Sequence, residues 1–235
     1  MKIHTKGTHV PAPILEFSEM SGGKTELKNI IVKHMNGSGF QGPTAIQMQA
    51  IPAVLKGRDV MAISPTGTGK SLAFLIPILL RASNETSLHV HSIILSPSAL
   101  LAKQTYTEAV RISEGYPISI GLLTSETTSN GNEKRSNHKI LVATLETLVA
   151  AIASDKDAFF DTVQTLCFDE ADSYFDLESI LHLDKILETC NSGSIQRVMI
   201  SATLAENVKE IMNTILRDPI QITVDDKNSG NKSDG

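Results

Sequence analysis

The sequence predicts an α/β domain, a mostly parallel sheet with helices on both faces, and three observations carry that expectation. Short apolar runs of strand length alternate with stretches of helical pattern along most of the chain. A glycine-rich turn at 64–71 joins one such run to a helical stretch. A pair of acids, Asp169-Glu170, ends another run, and the carboxyl ends of strands are where α/β sheets place their ligand crevice.

The strand-like runs fall at 60–63, 92–95, 118–122, 140–143, 163–168, 197–200 and 220–224. Helical patterns at 44–55, 70–80, 99–112, 144–153 and 205–216 separate most of them, and Pro77 is expected to kink or shorten the second. Two stretches depart from the alternation. Residues 124–139, rich in Ser, Thr, Asn and Gly, read as a solvated loop, and 225–235, almost without apolar residues, read as a linker or disordered tail.

At 235 residues and 41% hydrophobic content the chain can bury the core of one large α/β domain. A net charge of −5 gives no basic signature for nucleic acid, although backbone amides and helix termini can hold phosphates without one. Cys167 and Cys190 lack metal-ligand spacing and read as reduced thiols of an intracellular protein. The longest apolar stretch, 72–80, is too short to span a bilayer, and residues 1–10 are too polar for a secretory signal. His89 and His91 read as a surface pair at a strand start.

The loop Ser64-Pro65-Thr66-Gly67-Thr68-Gly69-Lys70-Ser71 fits a phosphate-binding turn. Gly67 and Gly69 let bare backbone approach a phosphate chain, with the N–H groups of the helix start aimed at the anion. Lys70 supplies a point charge for the outer phosphates, and the Ser71 hydroxyl suits a magnesium ion that keeps several of its waters. The usual pattern opens on glycine, where this chain has Ser64, and such residues also make ordinary turns before helices. In the same reading Asp169 holds magnesium through water and Glu170 polarises a water that attacks the terminal phosphate. Taken alone, the two acids could equally cap a following helix; loop and acids together point to a nucleoside triphosphatase.

Upstream, Gly39-Phe40-Gln41-Gly42-Pro43-Thr44-Ala45-Ile46-Gln47 resembles the Q motif of the DEAD-box RNA helicases. The resemblance runs on through the loop at 64–71, through Asp169-Glu170-Ala171-Asp172, and through Ser201-Ala202-Thr203 after the next strand. It implies a RecA-like P-loop NTPase domain that uses ATP and Mg2+. By the same resemblance Gln47 reads the adenine edge, Phe17 stacks on the base, Thr44 touches the phosphate loop, and Ser201 and Thr203 couple nucleotide state to RNA engagement. An amide matches adenine and mismatches guanine, which favours ATP over GTP. Phe17 could instead be a core residue at a helix start, and Gln47 a surface helix residue.

The pattern fails on the RNA side. The family's Pro-Thr-Arg-Glu-Leu-Ala segment is Pro97-Ser98-Ala99-Leu100-Leu101-Ala102 here, and its Thr-Pro-Gly-Arg segment is Thr144-Leu145-Glu146-Thr147. The glycine pair that usually follows the third strand is missing, with Leu122 and Leu123 after Gly121. What survives is the backbone route, with Ser98 and Thr144 as candidate RNA phosphate contacts or as plain helix caps.

The lead-in at 3–17 and Ile112-Ser113-Glu114-Gly115 look like the subfamily that processes small-subunit ribosomal RNA. That likeness implies pre-rRNA as partner, a nucleolar place in the nucleus, and room for a protein cofactor. Residues 1–38 are then an N-terminal extension with a first helix, 39–224 the ATP-binding domain, and 225–235 a tail toward a second RecA-like domain in cis. That second domain would bring the arginine finger, so this half alone should turn ATP over poorly. Two other readings stay open: a P-loop ATPase acting on DNA, and a degenerate helicase domain serving as an assembly scaffold.

Overall fold

The computed structural model describes residues 2–84, 89–125, 137–154, 159–174, 176–190 and 194–225. Among these residues eight strands form one sheet: β1 (Ile3–Lys6), β2 (Val60–Ile63), β3 (Ser92–Leu95), β4 (Ile120–Leu123), β5 (Ile140–Ala143), β6 (Thr165–Phe168), β7 (Gln196–Ser201) and β8 (Ile220–Val224). Their order across the sheet is β1-β8-β2-β7-β6-β3-β5-β4, with only the β1–β8 pair antiparallel. The inner strands β2, β3, β5, β6 and β7 are buried at every residue. This is the pattern of parallel strands covered on both faces, and it explains why their sequences run apolar without alternation.

The helices are α1 (Thr25–Gly37), α2 (Ala45–Leu55), α3 (Lys70–Ser83), α4 (Ala99–Ile112), α5 (Leu145–Ser154), α6 (Leu177–Thr189) and α7 (Glu206–Ile215). Helices α1 to α4 pack with Val60, Ala62, Ile94, Val142, Cys167 and Val198 on one face of the sheet. Helices α5 to α7 pack with Met61, Ile93, Leu95, Leu141 and Phe168 on the other. Alternation along the inner strands therefore divides their apolar side chains between the two cores.

Three elements differ from the sequence expectation. Helix α3 continues through Pro77 to Ser83, because almost every residue from Leu72 onward is buried and that packing outweighs one lost backbone bond. Helix α6 was not predicted: Asp176 caps it by accepting the Ser179 N–H at 2.9 Å, yet only Leu183 and Ile186 are buried, too thin a stripe to read. Strand β1, also unpredicted, is a mostly exposed edge strand, held to β8 by pairing from Ile3↔Val224 to Lys6↔Gln221. The first 38 residues thus reach the main body twice, through β1 in the sheet and through Leu27, Ile31 and Met35 of α1 in the core. His91 is buried, with its Nδ1 2.7 Å from Ser92 Oγ, and is not a surface residue. Both cysteines are free and buried. Most of the loop expected at 124–139, including Lys134 and Arg135, and nearly all of the tail expected at 225–235 lie outside the described residues.

Candidate nucleotide site at the carboxyl end of the sheet

The strand ends that carry the site are locked in register by backbone bonds that continue past the strands. Ser64 N–H donates to Ser201 O at 3.2 Å, Asp169 N–H to Leu95 O at 2.9 Å, and Ser96 N–H to Ala143 O at 2.9 Å. With β7 between β2 and β6 in the sheet, the loop after β2, the segment after β7 and the acids after β6 follow one another along its carboxyl edge.

Within the loop, three polar side chains brace the turn. Ser64 Oγ lies 2.7 Å from Thr68 Oγ1, Thr68 Oγ1 donates to Pro65 O at 2.7 Å, and Lys70 Nζ donates to Ser64 O at 2.9 Å. The departure at Ser64 therefore braces the turn through a hydroxyl that glycine lacks. Gly69 has φ 88 and stands at the N-cap of α3, where no side chain caps the helix, so its first N–H groups are left for an anion. Gly67 has φ 75, and a Cβ there would meet nothing within 4 Å, which leaves its flank open to a phosphate.

Gln47 binds the loop from behind, and Thr44 steadies it. Gln47 Oε1 accepts the Thr44 N–H at 3.0 Å and Gln47 Nε2 donates to Gly69 O at 3.0 Å. Gln47 is wholly buried, so in this conformation its amide fixes the loop from within; adenine contact would use its second N–H and lone pair. Thr44 Oγ1 is buried without a hydrogen-bond partner. Phe17 is 3% exposed, in a short 3-10 turn (Phe17–Glu19) within the α1–α4 core, so stacking on a base would require that turn to move.

Asp169 and Glu170 face the loop. Lys70, Ser71, Asp169 and Glu170 line one cavity of about 360 Å3, together with Gln104, Thr105 and Glu108 of α4. Burial pushes the Lys70 ammonium below its ordinary pKa, against the opposing pull of Asp172, Asp169 and Glu170. Burial, and next the Glu170 charge, push the Asp169 carboxyl from 3.8 up to about 6, while the Glu170 N–H it accepts at 3.0 Å and Lys70 pull it back. The folded chain therefore keeps a proton that the unfolded chain releases between pH 4 and 6, and folding loses stability as pH rises through that window. At pH 7 the ionised carboxylate costs on the order of 3 kcal/mol, a cost that a divalent cation beside it offsets. Glu170 takes φ 49, a left-handed conformation unusual outside glycine, which marks the turn as strained at the acid.

The residues fit a magnesium ion of modest protein ligation: one hydroxyl, one carboxylate, and water for the rest. Among the described residues no cluster of three or more His, Cys, Asp or Glu forms a metal cage, and this chemistry does not need one.

Two connections were not read from the sequence. Asp172 Oδ1 accepts the Ala202 N–H at 3.4 Å and its Oδ2 accepts the Thr203 hydroxyl at 3.4 Å, tying the acidic turn to the segment after β7. Ser201 Oγ donates to Thr203 O at 2.7 Å and accepts the Thr203 N–H at 3.2 Å, holding that segment in a tight loop. Ser98 and Thr144 both stand at helix starts. Ser98 Oγ accepts the Leu101 N–H at 3.3 Å, and Thr144 Oγ1 lies 3.0 Å from Thr147 Oγ1. Beside them Leu100 is 67% exposed.

A mostly parallel sheet in which β2 runs through a glycine turn into a helix, with two acids at the end of β6, on the far side of β7, defines a RecA-like P-loop domain. Residues 44–211 match the DEAD/DEAH box helicase family, and the chain belongs to that family. It is 36% identical over 227 residues to DEAD-box ATP-dependent RNA helicase 57 of Oryza sativa subsp. japonica, covering 97% of this chain and 42% of that protein. It is 33% identical over 235 residues to the probable ATP-dependent RNA helicase DDX52 of Bos taurus, covering 97% and 39%. With ATP-dependent RNA helicase ROK1 of Kluyveromyces lactis it shares 31% identity over 238 residues, 97% and 41%. The chain thus spans about two-fifths of the length of these relatives. Among solved structures, the RNA helicase Prp28 from Chaetomium thermophilum, bound to ADP, superposes with TM-score 0.82 at 28% identity, over 96% of this chain and 54% of that one.

Proposed function

We propose that this chain is the ATP-binding half of an ATP-dependent RNA helicase, coupling ATP binding and hydrolysis to the remodelling of RNA duplexes. The observation that carries the reading is the cavity in which Lys70, Ser71, Asp169 and Glu170 meet. The loop N–H groups and Lys70 bind the phosphates, and Gln47 with Thr44 holds the loop in shape and supplies the amide for adenine. Ser71 and Asp169 hold magnesium, largely through water; the ion supplies charge neutralisation on the phosphates. Glu170 accepts a proton from the attacking water. Asp172, bonded to Ala202 and Thr203, passes the state of the acidic turn to Ser201-Ala202-Thr203, which suits that segment as the coupler to RNA. A second RecA-like domain in cis completes the site; the coverage of 42% and 54% of longer proteins supports that arrangement.

Glu170→Gln is expected to leave the binding of a fluorescent ATP analogue within about threefold of wild type, while hydrolysis by the longer protein falls by roughly 100-fold or more. Equal loss of binding and turnover would show that Glu170 holds nucleotide and does not activate water.

RNA binds across the carboxyl ends of β3 and β5 through Ser98 and Thr144, where Ala99, Leu100 and Glu146 offer no cation. Binding by this chain alone is expected to be weak, and to fall roughly five- to tenfold between about 50 and 200 mM salt, as a few phosphate contacts require. A filter-binding titration showing tight, salt-insensitive binding would overturn that interface. The resemblance of residues 3–17 and of Ile112-Ser113-Glu114-Gly115 to the subfamily that processes small-subunit ribosomal RNA supports ribosomal precursor RNA as the substrate and the nucleolus as the place of action, with a protein cofactor supplying the missing cations. Among the described residues no helix is long and apolar enough to cross a membrane.

A further inference from the structure

Ser96, the residue after β3, is wholly buried, and its hydroxyl has no hydrogen-bond partner. An orphaned buried hydroxyl in an otherwise satisfied strand end calls for a reason. Its position supplies one. Leu95 pairs with Phe168, and Asp169 N–H donates to Leu95 O at 2.9 Å, so Ser96 and Asp169 are the next neighbours along the β3–β6 ladder. Ile94 and Cys167, two residues earlier on each strand, both belong to the core beneath α1 to α4. Alternation then aims the Ser96 and Asp169 side chains at the same face, the one on which residues of α4 line a cavity together with Asp169. Adjacent strands lie about 4.8 Å apart, a spacing that a hydroxyl and a carboxylate on paired residues can bridge. Asp169 Oδ1 accepts the Glu170 N–H at 3.0 Å, and Oδ2 can take a second donor.

We infer that Ser96 is a positioning residue for the metal-holding acid: its hydroxyl donates to Asp169 Oδ2 and fixes the carboxylate in the orientation that meets magnesium. This rests on the nucleotide site proposed above. A carboxylate held by one N–H can swing about its terminal torsion; held by two donors on its two oxygens, it cannot.

The test is a magnesium titration of the 235-residue chain at fixed fluorescent ADP, comparing wild type, Ser96→Ala and Lys70→Ala. Without nucleotide or metal, Ser96→Ala is expected to melt at or above the wild-type temperature, because in the conformation seen here the hydroxyl it removes has no partner to lose. It should bind ADP normally without magnesium, yet need roughly tenfold more Mg2+ to reach half of the metal-dependent change. An unchanged Mg2+ midpoint would overturn the assignment, as would a loss of affinity that is equal with and without metal and tracks a lower melting temperature. If instead Lys70→Ala binds ADP as wild type does, the nucleotide site itself has been misplaced, a different failure seen in a different variant.

Discussion

Lys70→Ala should lose affinity for ATP and ADP by roughly two orders of magnitude, about 3 kcal/mol, with the fold intact. Lys70 is the one cation that the loop directs into the cavity, and it shares that cavity with Asp169 and Glu170. Its ammonium is half-buried, and burial already pushes its pKa down, so the charge sits where a phosphate interaction is screened least. In this conformation Nζ donates to Ser64 O at 2.9 Å, an intraloop bond that a phosphate would replace at little cost. Removing the side chain leaves Asp169, Glu170 and Asp172 without their counter-charge, so the residual site repels the triphosphate rather than merely ignoring it. The variant should keep its melting temperature within a few degrees, because a bond from a half-exposed ammonium contributes little to stability. Calorimetry with ATP and magnesium decides the matter: affinity unchanged by Lys70→Ala would remove the loop from the phosphate site.

Much of this site was legible because its chemistry is local in sequence. Eight consecutive residues make the phosphate turn, two adjacent acids end a buried run, and strand-like runs give the sheet its strands. What escaped reading depends on partners distant along the chain. Gln47 is engaged with Gly69, 22 residues on, and Asp172 with Ala202, 30 residues on; neither bond leaves a periodic trace. Ser96 stands one residue beyond the strand-like run at 92–95, and only the register sets it beside Asp169. Strand β1 and helix α6 escaped for a second reason, that each buries too few side chains for a hydrophobic period to stand out. Phe17 shows the limit of resemblance: the motif marks it as a base-stacking residue, while burial in the core gives the same ring a structural use.

Gly69→Ala should both destabilise the fold and disable the nucleotide site, and the reason lies in where the new methyl would go. A Cβ built on Gly69 falls 2.4 Å from Gln47 Nε2 and 3.3 Å from Thr44 Oγ1. The amide cannot withdraw cheaply, since Gln47 is wholly buried and spans Thr44 N–H and Gly69 O. Expelling it breaks both bonds inside the protein, at about 1–3 kcal/mol for the groups left unsatisfied. The φ of 88 adds about 1–2 kcal/mol for any L side chain held in the left-handed region. A loss of about 2–5 kcal/mol should lower the melting temperature by roughly 5–15 °C in a chain of this size. Nucleotide affinity should fall with it, because Gln47 is what holds the Gly69 carbonyl and the start of α3 in line with the loop. Gly67→Ala separates the two effects. Its Cβ meets nothing within 4 Å, so only the backbone strain remains and the melting temperature should drop by a few degrees, while the methyl occupies the open flank a phosphate would approach. Calorimetric melting of both variants, with and without ATP and magnesium, gives opposite patterns if the account holds: a large thermal loss for Gly69→Ala, and for Gly67→Ala a small thermal loss with most of the ligand-induced stabilisation gone. Equal melting of Gly69→Ala and wild type would mean that Gln47 does not brace the loop.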